Sequence, residues 1–267
     1  MRPTAACLLL PLLLAPAAPA VAGGVAATYE IHLAGATILH IEARYEVDNA
    51  GYRMEARLRT TGVAASLAPG QQMTRVTGAW AGAAPAPRDF VSEGTWRSIA
   101  RRIAMTWSDG EPRVTDLTPP ETEEREPVPP ALRRGTVDGF SAVVALLRTV
   151  ERTGTCDGTA AVFDGRRRTE QVARTERREV IRPWRGTWAG EALRCGFEGR
   201  MVAGFRRDGD RAEASRPQTG TAWIASPFAG APPIPVRIEI PTRLFGTATA
   251  VLVRAEPAGA QAAQQGR

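Results

Sequence analysis

The sequence contains no lysine, only two histidines and only three cysteines among its 267 residues. The absence of lysine excludes a Schiff base, a pyridoxal anchor, a P-loop and a Ser-x-x-Lys pair. Two histidines are too few for a three-histidine zinc site, and His32 and His40 lack cysteine or carboxylate partners at the spacing of metal ligands. No Gly-x-Ser-x-Gly motif marks a nucleophile. We therefore expect no catalytic residue, no metal and no cofactor.

The first 22 residues have the layout of a secretory signal peptide. Arg2 supplies a positive charge, residues 7–18 are apolar, and residues 20–22 fit the small-x-small pattern of a cleavage site. Prolines interrupt the apolar stretch, which is shorter than the roughly 20 residues of a membrane-spanning helix. We therefore predict cleavage after Ala22, a periplasmic location and no transmembrane span.

Two cysteines, Cys156 and Cys195, remain once the signal peptide and its Cys7 are removed. An even number of cysteines in an exported protein favours a disulfide, because the compartment is oxidising. The alternative is two buried free thiols. We predict one disulfide between Cys156 and Cys195.

Apolar and polar residues alternate along much of the chain, as expected for β-strands with one buried face. Residues 39–47 and 52–58 alternate in this way on either side of a turn at 48–51, which predicts an antiparallel hairpin. Further strand candidates are residues 25–33, 72–80, 88–96, 99–107, 159–163, 192–205, 219–226, 236–240 and 244–253. The fold class predicted is mainly β, with an antiparallel curved sheet or open barrel.

Four segments are predicted to depart from regular strands. Pro85-Ala86-Pro87 reads as a break, and residues 116–134, rich in Pro and Glu, read as an extended, exposed connection. The highly charged residues 166–180 are expected to form a solvent-facing hairpin. The tail, residues 256–267, is expected to be disordered, which leaves a single β-rich domain over residues 23–255.

One α-helix is predicted at about residues 138–151 and is expected to pack against the sheet. Thr136 or Asp138 can cap its beginning, and Gly154 can end it. The helix has one apolar face with i, i+3, i+4, i+7 spacing, formed by Phe140, Val143, Val144, Leu147 and Val150.

Arginine accounts for all 34 basic side chains, and the clusters at residues 166–168, 177–178 and 206–207 suggest an anionic partner. Acidic residues are interleaved with these clusters, and export separates the protein from nucleic acid, so no nucleic-acid partner is expected. Anionic lipid head groups are a partner that the charge would suit. The alternative is a solvated charged face.

Three of the six tryptophans, Trp80, Trp96 and Trp107, stand at the ends of successive strand candidates. If those strands are neighbours, the three rings are expected at one rim of the sheet. They either fill the core or line the mouth of an apolar cavity between sheet and helix. The candidate cavity residues are therefore Trp80, Trp96, Trp107, Phe140, Val144 and Leu147.

Several short motifs resemble those of domain-of-unknown-function family 3108, over about residues 25–255. They are Tyr29-Glu30-Ile31 with Gly35, Gly51-Tyr52, Thr136-Val137-Asp138, Val162 to Arg168, Cys195, and Pro235 to Ile238. The resemblance implies a secreted, mostly antiparallel β protein of the Gram-negative envelope, akin to the half-barrel of outer-membrane lipoprotein carriers, and implies no catalytic residue. Within the most specific motif, Asp164-Gly165 suits a tight turn, with a ligand site as the alternative.

Three functions are consistent with these observations. The first is a non-enzymatic envelope protein that holds an apolar or lipid-like ligand in the sheet's concavity. The second is an interaction or scaffold module that binds another envelope protein. The third, less favoured, is a hydrolase, which would need a nucleophile within hydrogen-bond reach of His32, His40 or a perturbed carboxylate.

Overall fold

A computed structural model describes residues 24–120 and 124–259 of the chain. The predicted signal peptide and most of the predicted tail lie outside these residues. Within them, thirteen strands form one antiparallel sheet that curls into a nearly closed barrel, which confirms the predicted fold class.

The strands are β1 (Val25–Leu33), β2 (Ala36–Val47), β3 (Gly51–Thr60), β4 (Gly70–Ala81), β5 (Ala84–Trp96), β6 (Ile99–Ser108), β7 (Glu111–Thr118), β8 (Gly158–Phe163), β9 (Arg168–Ile181), β10 (Gly190–Ala203), β11 (Gln218–Ala225), β12 (Ile234–Pro241) and β13 (Thr247–Pro257). Eleven strands match predicted candidates, with differences at their ends, whereas β7 and β9 were not predicted as single strands. The helices are α1 (Gly62–Leu67), α2 (Pro130–Arg133), α3 (Gly139–Thr153) and α4 (Arg211–Ala214). Strand β13 runs to Pro257, two residues past the predicted end of the domain.

The sheet consists of two meanders joined at the ends of the described chain. Strands β1 to β7 are neighbours in sequence order, as are β8 to β13, and β1 pairs with β13 to join the two sets. The edges are therefore β7 and β8, and α3 lies between them in the chain.

Side-chain alternation gives the sheet an apolar inner face and a charged outer face. The inner face supplies core residues such as Val25, Tyr45 and Phe90. On the outer face of β3 to β7, charges of opposite sign alternate from strand to strand: the pairs are Arg75 with Glu55 and Glu93, and Arg102 with Glu93 and Asp116. These ion pairs link five neighbouring strands across the outer face.

Helix α3 occupies the concavity of the sheet. None of its residues from 139 to 150 is exposed, and Val144 and Leu147 are buried in the same cluster as the inner face of the sheet. Asp138 caps the helix by accepting hydrogen bonds from the backbone N–H groups of Phe140 and Ser141, at 2.9 Å each. Gly154, with φ of 71°, ends it. The predicted helix is confirmed.

The predicted disulfide is also present. Cys156, just beyond the end of α3, is bonded to Cys195 in β10, with 6.2 Å between their Cα atoms. Both side chains are buried in the core. The bond therefore fixes the end of the helix to the sheet.

The gap between β7 and β8 is partly covered by the chain that connects them. Val137 pairs with Val162 of β8 in parallel, and Arg125 pairs with Arg206. Val128 is fully buried. The prediction of an extended, exposed connection over residues 116–134 is therefore wrong at its beginning, which belongs to β7, and at Val128, whereas residues 129–132 and 134 are exposed.

Two other local predictions are wrong. Residues 166–180 do not form a hairpin: from Arg168 onward they belong to β9, whose backbone pairs with β8 on one side and β10 on the other. Pro85 and Pro87 lie inside β5 and do not break it, because β6 pairs with β5 only from Asp89 onward. A proline without an N–H is tolerated where one side of the strand has no partner.

The Asp164-Gly165 turn joins β8 to β9 and touches the opposite side of the gap. Asp164 accepts hydrogen bonds from the backbone of Arg166 and Arg167 at 2.9 and 2.7 Å. Gly165 has a φ of +90°, and a Cβ there would lie 2.5 Å from Cγ2 of Ile103 in β6. The turn thus sets the hairpin, as its residue types suggested, and it also packs across the gap, which the sequence did not predict.

Replacing Gly165 with alanine should lower the free energy of unfolding by about 2–3 kcal/mol, through backbone strain and the clash with Ile103. Gly35→Ala is the matched control, because Gly35 has a φ of +83° and open space around it. Urea unfolding of both variants separates the two contributions. Equal losses would mean that packing across the gap contributes nothing.

Candidate functional site

The three tryptophans predicted at one rim lie at two opposite ends of the barrel. Trp80 and Trp107 lie near the ends of β4 and β6, whereas Trp96 ends β5. Successive antiparallel strands run in opposite directions, so the end of β5 cannot share a rim with the ends of β4 and β6. The prediction of one shared rim is therefore wrong.

Each of these tryptophans has a structural environment. The indole N–H of Trp80 donates to the carbonyl oxygen of Asp48 at 3.0 Å, and that of Trp107 to Thr136 at 2.9 Å. Both rings pack against the core. Trp96 is exposed and lies over Gly70, whose added Cβ would meet the ring at 2.3 Å.

The other candidate cavity residues fill the barrel. Val144 and Leu147 are buried, and Phe140 packs against them and the inner face of the sheet. Among the described residues, the three principal clefts lie elsewhere than between α3 and the sheet. The cavity predicted from the sequence, between α3 and the sheet, is therefore occupied by the packed side chains of the helix.

A cleft of about 720 Å³ on the second meander is lined by the other three tryptophans, and we call it the tryptophan cleft. Trp223 comes from β11, and Trp184 and Trp188 come from the loop between β9 and β10. The remaining lining residues are His32, Ala34, Gly35, Glu179, Val180, Ile181, Arg182, Pro183, Arg185, Thr187, Val236, Arg237, Thr247, Thr249 and Val251. Its volume suits one small ligand.

The loop that carries Trp184 and Trp188 is fastened to the sheet by its backbone. The backbone N–H of Trp188 donates to the carbonyl oxygen of Leu252 in β13 at 2.8 Å. Within the loop, the backbone N–H of Thr187 donates to the carbonyl oxygen of Trp184 at 2.9 Å. The ring of Trp184 packs edge-on against His32 of β1, with 5.1 Å between the centroids. The cleft wall therefore combines a loop with strands that are distant in sequence.

Arginines surround the aromatic rings of the cleft. The guanidinium carbons of Arg194 and Arg237 lie 5.2 and 5.3 Å from the centroid of the Trp223 ring. The guanidinium of Arg185 lies 5.0 Å from that of Trp184. These distances are within the range of cation–π attraction, which holds the positive charges beside the apolar wall.

The one acidic residue in the lining, Glu179, is already engaged. It accepts one hydrogen bond from the Trp223 indole and one from Arg177, and Arg194 lies 3.6 Å from it. The Trp223 hydrogen bond first, and Arg177 after it, hold the pKa of Glu179 below its usual range. Glu179 therefore stays ionised and neutralises arginines outside the lining. Arg237 is paired with Glu239, so Arg182 and Arg185 give the cleft itself a positive character.

His32 is part of a short chain of polar side chains. Its Nδ1 lies 3.2 Å from Oγ1 of Thr37, and its Nε2 lies 3.4 Å from a carboxylate oxygen of Glu30. His32 lines the cleft, and Thr37 is not among the lining residues. The contacts are those of an ordinary cross-strand pair beside a turn.

Two further clefts have less chemical definition. One of about 770 Å³ is lined mainly by glycine, alanine and proline, and borders Gly24 and Gly259, the first and last described residues. One of about 230 Å³ lies near the gap between β7 and β8 and includes Arg125 and Arg167. No group of three or more potential metal ligands occurs within residues 24–120 and 124–259.

Sequence reasoning missed the tryptophan cleft. The pair Trp184 and Trp188, four residues apart around Gly186, was the available signal, because two large aromatic residues in a polar loop have no local structural purpose. Their partners on β1, β11 and β13 are fixed only by the folding of the loop over the sheet.

Comparisons with known proteins agree on the fold and name no activity. The sequence profile of a family described as "Protein of unknown function (DUF3108)" matches residues 27–253. A search of curated proteins gives no match. The crystal structure of a β-barrel-like protein of domain of unknown function DUF1849 from Brucella abortus is similar, with a TM-score of 0.55 and 14% identity, over 88% of this chain and 98% of that chain. In the described part of this chain, no helix has the length and hydropathy to cross a membrane.

Proposed function

This chain belongs to the DUF3108 family, and we propose that it is a non-enzymatic periplasmic protein that binds an anionic amphiphile, such as a lipid or fatty acid, in the tryptophan cleft. One observation carries the proposal. Three tryptophans and several aliphatic side chains line the same cleft, and arginines lie beside them.

The chemistry of the cleft suits a ligand with two unlike parts. The rings of Trp184, Trp188 and Trp223 offer apolar area for a chain or ring system. Arg182 and Arg185 offer guanidinium groups that bind carboxylate or phosphate in a bidentate manner. Arg237 is already held by Glu239. A cationic ligand is disfavoured by these arginines, and a purely apolar ligand would leave them without a partner on the ligand.

The periplasmic location is supported by two features of the chain. The first 22 residues have the pattern of a cleaved signal peptide. The Cys156–Cys195 disulfide suits an oxidising compartment.

Native mass spectrometry of the protein isolated from the periplasmic fraction tests the proposal. We expect a chain of residues 23–267 that carries a lipid-sized adduct. In titrations with the fluorescent fatty acid cis-parinaric acid, Trp184→Ala should weaken binding about tenfold, the loss expected for one aromatic contact.

Leu132→Ala is the control, because Leu132 is also exposed but lies outside the cleft. It should bind the probe like the wild type. Absence of binding by the wild type, or equal weakening by both substitutions, would show that the cleft is not the ligand site. A chain that stays in the cytosol with residues 1–22 attached would contradict the proposed location.

A further inference from the structure

Exposed apolar side chains are concentrated at one end of the barrel. Seven of the ten large hydrophobic residues that are exposed in the described part of the chain lie on or next to three hairpin connections there. These connections join β3 to β4, β5 to β6 and β12 to β13. The seven residues, which we call the apolar rim, are Val63, Leu67, Trp96, Ile99, Ile240, Leu244 and Phe245.

The hairpins that carry the rim follow one another along this end of the barrel. The N–H of Arg97, between β5 and β6, donates to the carbonyl oxygen of Pro69 at 2.8 Å. The N–H of Thr61, before α1, donates to Ile38 of β2 at 2.9 Å. The β12–β13 hairpin follows, because β13 pairs with β1 next to the β1–β2 turn.

The fold does not require these apolar residues. Turns are formed most readily by Gly, Asn, Asp, Ser and Pro, and a large apolar side chain at a turn gains nothing from exposure to water. Leu67 and Leu244 are 75% and 84% exposed. Exposed apolar side chains gathered on one surface indicate that the surface meets a partner.

The charge of the rim suits an anionic partner. Residues 59–70, 94–101 and 240–250 contain Arg59, Arg97, Arg101 and Arg243, and no aspartate or glutamate. Acids from other connections, Glu124 and Glu213, pair with Arg101 and Arg243 respectively.

We propose that the apolar rim docks on the surface of an anionic lipid bilayer. The apolar side chains stand on separate hairpins around one end of the barrel, so a broad surface can meet several of them together. Tryptophan and leucine enter the boundary between head groups and acyl chains, while arginines extend to the anionic head groups. A second copy of this chain would bring the same arginines face to face.

Co-sedimentation of the mature protein with vesicles tests this docking. Binding to phosphatidylcholine vesicles containing 30% phosphatidylglycerol, about that share of anionic lipid being enough for an attractive surface potential, should exceed binding to pure phosphatidylcholine at least tenfold. It should decrease when the salt concentration is raised, since exposed charges are screened.

Leu67→Glu combined with Leu244→Glu should reduce vesicle binding at least tenfold, because it removes two apolar contacts and adds repulsion. Leu132→Glu is the control, because Leu132 is exposed on α2 and lies away from the rim. Gly135, just after α2, donates its N–H to Gly110 in the β6–β7 turn at the opposite end of the barrel. Circular dichroism and thermal unfolding should show that all variants fold.

Three results would overturn the proposal. They are equal binding to both kinds of vesicle, undiminished binding of the rim variant, and a concentration-dependent dimer that the rim variant abolishes. Trp184→Ala should bind vesicles like the wild type, so failure of the cleft proposal and failure of the rim proposal are distinguishable.

Discussion

Replacing both Cys156 and Cys195 with alanine should lower the free energy of unfolding by about 4 kcal/mol, according to the chain-entropy estimate for a loop of this length. The two residues are 39 positions apart, and the loop includes β8 and β9, two strands at one edge of the sheet. Without the bond, the unfolded chain gains freedom and the end of α3 loses its covalent connection to β10.

Guanidinium chloride unfolding with and without dithiothreitol measures this effect. The wild type should lose stability in the reductant, and the double alanine variant should not respond to it. A wild type that unfolds at the same denaturant concentration under both conditions, with reduction verified by alkylation, would show that the bond contributes nothing to stability.

Asp138→Ala should lower the free energy of unfolding by about 2–4 kcal/mol, the sum expected for a lost N-cap and for buried polar groups left without a partner. Asp138 caps α3, and its other carboxylate oxygen accepts from the hydroxyl of Ser141 at 2.5 Å. That hydroxyl in turn accepts from Tyr52 of β3 at 2.8 Å. The substitution therefore affects the beginning of the helix and its attachment to the sheet together.

Asp138→Asn is the matched variant, since it keeps an oxygen that can cap the helix, and it should cost less than alanine.

Burial raises the pKa of Asp138, while the hydrogen bonds from Ser141 and Phe140 oppose that rise. A raised pKa in the folded state means that the folded protein holds the proton more tightly. The wild type should then gain stability relative to Asp138→Asn as the pH falls from 7 towards the unfolded pKa of about 3.9. Urea unfolding at pH 7 and pH 5 would contradict this direction if the difference moved the other way.

Local patterns in the sequence were sufficient for most of the fold. The helix at Gly139–Thr153 has an apolar stripe, a capping aspartate and a terminal glycine, and all three signals agree. The β2–β3 hairpin has alternation on both sides of a turn. The strands that sequence reasoning missed or misassigned lack such agreement: β7 begins beside Pro112, and β9 carries charges along most of its length.

The candidate site was less predictable because it depends on how separate segments pack. Whether Trp80, Trp96 and Trp107 share an end of the barrel depends on strand direction, which reverses at every hairpin. Whether α3 covers a cavity or fills it depends on the curvature of the sheet. The tryptophan cleft forms because one loop folds over strands from both ends of the domain. The alternation of apolar and polar residues along a strand does not predict such contacts.

The pairing of β1 with β13 has a consequence for how the protein acquires its fold. All other neighbouring strands in the sheet are consecutive in the chain. Each meander can therefore form through pairing of adjacent hairpins as soon as its strands are available. The junction between the meanders needs the last strand, because β13 is the partner of β1. In a polypeptide that crosses a membrane N-terminus first, the two meanders could therefore form separately. They would join into a barrel only after β13 has crossed.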